Sequence, residues 1–346
     1  MYELPAPWAL AARFSGRFDP WPVLDALGGT GQFSRADATT LARAGLPLDI
    51  AARLEEMVPL RLSSPPLLAG AADYPVALRG VVHAPPVLFV EGDPAALQLP
   101  MVAVVGSRSA TLYGRRMAAM LASAICRAGG VVVSGMARGV DFEAHKATFG
   151  VGRSVGVAAF GLEARTSMEN RALREAIVRG GGAVVSEFLP RSHPEKHTFL
   201  QRNRVIAGLS RATVIVEAGH RSGALSTARH ALAQGREVLA LPGPVGEGNS
   251  EGCLDLIQEG ATIIRGPATV LEAAGLLSQA RANARQPSIE PRSAALLRGL
   301  VSLASVDELT AATGMTTSEV LCHLALLEMD GLVAREPGQR FVLVSG

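Results

Sequence analysis

Three segments of the sequence set arginine among glycine and serine, the combination that grips phosphate, and a fourth gathers lysine and arginine without them. They are GSRSATLYG (Gly106–Gly114), SGMARGVD (Ser134–Asp141), KHTFLQRNR (Lys196–Arg204) and GHRSG (Gly219–Gly223). A guanidinium forks onto two phosphate oxygens, and small residues let backbone N–H groups approach an anion. The candidates for such a site are Gly106, Ser107, Arg108, Ser134, Gly135, Arg138, Lys196, Phe199, Arg202, Asn203, Arg204, Arg221, Ser222 and Gly223. Between Ser186 and Arg236 eight Lys or Arg stand against three acids, whereas the whole chain carries only +2. A local patch, not the global charge, is therefore what would meet a polyanion.

The stretch FLQRNRVIAGLS (Phe199–Ser210) sets a sharper question. Val205, Ile206 and Leu209 have the spacing of one buried helix face. In a continuous helix Arg202 would point into the same core, and an unpaired buried arginine costs too much. The expectation is that the helix begins near Arg202 or Asn203. Arg202 and Arg204 would then flank its positive N-terminus, where a bound anion relieves the repulsion. Lys196 and Phe199, three apart, would pair a phosphate contact with a stacking ring, as single-strand binders do. Phe199 reads equally well as a core aromatic.

The elements that must position these residues are legible from the apolar runs. From Met101, runs such as MVAVVGS, VVVSG, SVGVAAFG, AVVSEF, ATVIVEA and EVLALPG alternate with amphipathic helical segments. Strands without polar alternation, each followed by a helix, define a doubly wound parallel α/β sheet covered on both faces. Ligands in such sheets sit beyond the carboxyl ends of the strands, where the four basic segments fall. The expected domains are a small helical one (SAM or helix-hairpin-helix-like) over 1–80, the α/β domain over 81–278, a polar linker over 279–292, and a winged helix-turn-helix over 293–346. Ser305 with Glu308 and Thr316 with Glu319 form two capping boxes in the last unit. Residues 292–346 hold four arginines against six acids, with Glu319, Glu328 and Asp330 on or beside the recognition helix and Arg335 and Arg340 on the wing. A winged helix usually suggests duplex DNA, but phosphate should be repelled there, so a protein-contact or regulatory role stands on at least equal terms with it.

Composition removes several classes. Hydrophobic residues make up 48% and charged ones 18%, so the chain buries a core. Three dispersed cysteines, Cys126, Cys253 and Cys322, form no zinc or disulfide framework and fit a reducing cytoplasm. The start, MYELPAPWAL, lacks the charged and apolar regions of a signal peptide, and no apolar run reaches membrane-spanning length. No GxGxxG follows the first core strand and no P-loop is present, so a dinucleotide cofactor is not expected. A nucleotide-processing enzyme, phosphoribohydrolase-like, is the alternative. Its PGG-type loop is approached by ALPGPVGEGNSEG, with Pro244 in place of the second glycine. Asp141, Glu187 and Glu217 offer no evident catalytic pair: Asp141 is expected to order its own turn and Glu217 to anchor an RNR arginine. His193 and His197, four apart, lack a third metal ligand.

The motifs together resemble the DNA-processing protein A family (DprA/Smf). VVGSR, YG, SGMARGVD with His145, SEF, RNRVIAGLS, VEAGHRSGALSTARHAL, LPG and LIQEGA carry the likeness from about Tyr74 to Gly266. The resemblance implies an extended Rossmann core in a non-enzymatic, homodimeric protein. It implies binding of single-stranded DNA, its protection, and loading of RecA recombinase during natural transformation, with single-stranded DNA-binding proteins among further partners. It also implies that Arg108 holds a phosphate, that Ser107, Ser134 and Gly135 donate to it, and that Lys196, Phe199 and Arg202–Arg204 line the strand. The sequence departs from the family at Thr166-Ser167, where Tyr-Pro is common, at Leu200 after Phe199, and at Leu254-Asp255, where an Asn is usual.

Overall fold

The structure is a computed structural model that describes residues 1–278, 291–300, 304–329, 333–336 and 340–343. It divides into two compact units, Met1–Asn283 and Ala284–Gly346. Among the described residues no helix is long and apolar enough to cross a membrane.

The first unit is built on a nine-stranded sheet. Its strands are β1 (Leu67–Leu68), β2 (Val87–Gly92), β3 (Met101–Val105), β4 (Val131–Ser134), β5 (Ser154–Val157), β6 (Ala183–Ser186), β7 (Ala212–Ile215), β8 (Glu237–Ala240) and β9 (Thr262–Ile263). Their spatial order is β9-β8-β7-β3-β4-β5-β6-β2-β1. From β3 to β9 all neighbours are parallel, and β2 joins β6 antiparallel. Strand order reverses between β3 and β7, the switch point where a crevice must open above the sheet. Alternate residues of β3 enter different cores: Met101, Ala103 and Val105 one, Val102 and Val104 the other. Burial on both faces explains why its sequence shows no polar alternation.

The helices after these strands are α1 (Leu112–Arg127), α2 (Val140–Lys146), α3 (Met168–Arg179), α4 (Lys196–Leu209), α5 (Gly223–Ala233), α6 (Glu251–Gln258) and α7 (Pro267–Ala273). Helix α4 packs on α5 and runs against β3, β4 and β5. Its start at Lys196 corrects the expected start near Arg202. Glu195 and Thr198 close a capping box there, so the helix gains its first turn without an anion.

Residues before β1 form short helices, among them Ala6–Arg13 and Pro20–Leu27, capped by a ribbon of Tyr2–Leu4 with Leu60–Leu62. Trp8 stacks at a tilt on Phe33 with ring centroids 4.3 Å apart. One continuous core runs from Leu4 and Trp8 through Tyr74 and Leu88 to Val105, Val205 and Leu256. Packing therefore does not break near residue 80, where composition changes.

In the second unit, helices Pro291–Gly299, Val306–Thr313 and Thr317–Met329 precede strands Val333–Glu336 and Arg340–Leu343. The two strands pair antiparallel, and Ala304–Ser305 adds a third. Both capping boxes form: Ser305 N–H donates to Glu308 at 2.7 Å and Thr316 N–H to Glu319 at 2.9 Å. Leu296, Leu309, Val320, Leu324 and Phe341 fill the core of this winged helix. Most of the expected linker, residues 279–290, lies outside the described residues, as do Asp330 and the side chain of Arg335.

Candidate nucleic-acid interface

The loop after β3, Gly106–Thr111, is held from below by the strand beside it. Ser107 N–H donates to Glu217 O at 2.7 Å, and Thr111 N–H donates to the Glu217 carboxylate at 2.9 Å. The Thr111 hydroxyl donates to the same carboxylate while accepting from Gly114 N–H, which starts α1. Gly114 is required because a Cβ there would fall on that carboxylate. Gly139, at φ +79°, is required too, since a Cβ would strike the carbonyl oxygens of Ser107 and Arg108. The glycines of the YG and SGMARGVD motifs thus pack loops together.

The RNR triplet is a three-way junction. Successive helix residues point about 100° apart, so Arg202, Asn203 and Arg204 reach three different partners. Arg202 Nη1 donates to Gly135 O at 2.7 Å and to Val157 O, the carbonyls at the ends of β4 and β5. Burial pulls its pKa down to about 10 against the stabilising charge of Asp141, with Arg108 adding repulsion. Asp141 accepts from Gly135 N–H at 3.0 Å and Ala137 N–H at 3.4 Å. Burial pushes the Asp141 pKa up, and Arg202 opposes that. Asn203 Nδ2 donates to Gly223 O at 3.1 Å, fixing the start of α5. Arg204 forms a buried ion pair with Glu187, whose carboxylate also accepts from Ser15 Oγ. Gln201 Nε2 adds a bond of 2.7 Å to Ser15 O.

Above this junction lies a cleft of about 620 Å³. Arg108, Lys196, Phe199, Arg221, Ser222, Gly223 and Asn249 line its walls, with Arg202 and Asn203 at the base. The Arg108 guanidinium stands over the Phe199 ring, 5.2 Å from its centroid. Arg108, Lys196 and Arg221 are exposed, and among the described residues no carboxylate lies within 4.0 Å of their charges. Ser222 caps α5 through Ala224 N–H at 3.3 Å, so the positive end of that 11-residue helix opens into the same space. Three exposed cations, a half-buried ring and a helix N-terminus line one cleft.

Several expected donors are not available to a ligand. Ser134 is fully buried and gives its hydroxyl to Val104 O at 2.6 Å. Gly135 gives its N–H to Asp141 and crowds Arg202, whose guanidinium would lie 2.6 Å from a Cβ there. Arg204 faces away from the cleft into its pair with Glu187. Arg202 sits at the cleft base but is committed to strand carbonyls. Arg138 lies outside the cleft and pairs with Glu169 at 3.2 Å. Ser107 spends its N–H on Glu217 and its hydroxyl on Asn249 Oδ1 at 3.4 Å. Gly106 lines the cleft as a packing glycine against Val140. The anchor of an RNR arginine is Glu187, not Glu217. His197 is exposed beside Glu195 at 3.4 Å, and among the described residues no three His, Cys, Asp or Glu cluster to hold a metal. Asn249 was not singled out from the sequence; its loop has no periodicity, and only its place five residues after Pro244 ties it to a crest loop.

Fold and cleft define an open α/β protein with a cation-lined crevice at the switch point of its sheet. The profile of DNA recombination-mediator protein A matches residues 66–275, and that of the DprA winged helix domain matches residues 280–339. Protein Smf of Escherichia coli (strain K12) is 39% identical over 284 residues, 79% of this chain and 73% of that protein. DNA processing protein DprA of Bacillus subtilis (strain 168) is 39% identical over 193 residues, 55% of this chain and 65% of that protein. The X-ray structure of DNA processing protein A from Streptococcus pneumoniae superposes with a TM-score of 0.66 at 30% identity, covering 77% of this chain and 97% of that one. A structure of the Helicobacter pylori protein, concerned with that protein's single-stranded DNA binding mode, superposes with a TM-score of 0.55 at 28% identity, covering 62% and 95%. The chain belongs to the DNA recombination-mediator protein A family.

Proposed function

We propose that this protein binds single-stranded DNA through the crest cleft, as a non-enzymatic mediator. The observation that carries the reading is the convergence of Arg108, Lys196 and Arg221 on one cleft with Phe199, with no carboxylate within 4.0 Å of the three charges among the described residues. Phosphates meet the three cations and the start of α5, and a base stacks on Phe199 in competition with Arg108. The Helicobacter pylori relative, whose structure concerns single-stranded DNA binding, supports the same ligand here. In this reading the protein acts in the cytoplasm as a homodimer, protects incoming DNA during transformation, and loads RecA onto it.

The nucleotide-processing alternative finds poor support in the cleft. Among the described residues its one lining acid is Asp141, which is buried beside Arg202 and accepts two backbone N–H groups on Oδ2. The lining supplies no second acid to complete an acid–base pair with it.

The test is an anisotropy titration of single-stranded against duplex DNA over a salt series. Tighter binding of the single strand, with log K falling linearly in log salt, is expected. Equal affinity for both, or no loss on Arg108→Ala and Lys196→Ala, overturns the assignment. Recombinase loading is checked separately by RecA filament assembly on protein-coated single strands.

A further inference from the structure

Arg108 is useful to a ligand only if its loop is rigid. The flank before it is well fixed: Ser107 N–H donates to Glu217 O at 2.7 Å, and Val140 N–H donates to Ser107 O at 3.2 Å. The flank after it is held by a different residue. Asn249, in the loop between β8 and α6, donates from Nδ2 to Ser109 O at 3.0 Å. Its Oδ1 accepts from Ser107 Oγ at 3.4 Å, and that hydroxyl accepts in turn from Ser109 N–H at 3.2 Å. Ser109 O can only accept, so the amide orientation is fixed by chemistry. The Asn249 carbonyl meanwhile accepts from Ala218 N–H at 2.8 Å, in the loop after β7. One half-buried asparagine therefore ties together the crest loops after β3, β7 and β8.

We propose that Asn249 is a positioning residue that holds Arg108 in its nucleic-acid-binding geometry by clasping the Ser107–Ser109 backbone. The inference rests on the single-strand reading of the cleft. A clasped loop loses less conformational freedom when Arg108 takes a phosphate, so the clasp shows itself as affinity carried through Arg108. Aspartate cannot replace it, because a carboxylate cannot donate to Ser109 O and would add negative charge beside Arg108. Alanine removes both side-chain bonds and leaves the main-chain bond to Ala218 in place.

The experiment is a double-mutant cycle read by single-stranded DNA affinity at low salt, with Arg108→Ala, Asn249→Ala and the double variant. Asn249→Ala is expected to weaken binding about two- to tenfold, and to cost nothing further in the Arg108→Ala background. Ser107→Ala, which deletes the long bond to Asn249 Oδ1 and the Ser109 N–H bond but leaves Asn249 Nδ2 on Ser109 O, is expected to weaken binding less and with the same dependence on Arg108. Hydrogen exchange of the 106–111 amides should quicken in Asn249→Ala. Additive losses, or an Asn249→Ala affinity equal to the parent's, overturn the proposal. If Arg108→Ala itself leaves affinity unchanged, the cleft assignment has failed instead, and the clasp with it.

Discussion

The first turn and the middle of α4 carry the same kind of residue in opposite circumstances. Lys196 begins the helix, exposed at the mouth of the cleft, with Phe199 one turn on. Arg204, two turns further, is 8% exposed and paired with a glutamate that is 1% exposed. Water and salt surround the first, so its charge is available and structurally dispensable. The second has exchanged water for Glu187 and Ser15, so it belongs to the fold. A run of cations in a sequence is thus not one surface: helical rotation sorted this one into exposed charges and buried rivets.

The comparison breaks first at the buried end. Arg204→Ala should cost about 3–5 kcal/mol by leaving Glu187 as an uncompensated buried charge, measured by urea unfolding. A change below 1 kcal/mol would mean that this pair is not a rivet. His145, fully buried beneath the crest, supplies a pH test. Burial pulls its pKa to about 3 from 6.5. As pH falls below 6.5 the unfolded chain gains a proton that the native one refuses, so stability declines until about pH 3. The contribution approaches about 1.4 kcal/mol per pH unit, and His145→Gln should remove it from a stability-versus-pH curve. At the open end, Phe199→Ala should weaken single-stranded DNA binding by about 1–3 kcal/mol with the salt slope unchanged. Lys196→Ala should cost about tenfold in affinity and lower the slope by about 0.7, the share of one phosphate, with the unfolding midpoint unmoved. The smallest effect belongs to Arg138→Ala, which removes an exposed pair outside the cleft. It should leave stability within about 0.5 kcal/mol and DNA affinity as it was; a clear affinity loss would extend the groove across α2.

The strands, their parallel arrangement and the winged unit were legible because periodicity and capping are local properties. Apolar runs without alternation are explained by burial on two faces, and both capping boxes formed between residues three apart. Arg108, Lys196, Phe199 and Arg221 line one cleft because the segments that carry them all follow ends of the parallel strands. The start of α4 was misjudged because Arg202 looked unaffordable inside a helix. Its partners, Gly135 O and Val157 O, come from strands 67 and 45 residues earlier.

The amino-acid order alone determined where strands and helices form and which loops carry positive charge, since those depend on neighbours within a few positions. It did not determine which cations remain free. That depends on whether a carbonyl or carboxylate from a distant segment arrives beside each one, and only the packed chain brings Glu187, Asp141 and Asn249 to the crest. Pairing energies act through space, so tertiary structure alone separated the guanidinium left exposed at the cleft from the one already satisfied.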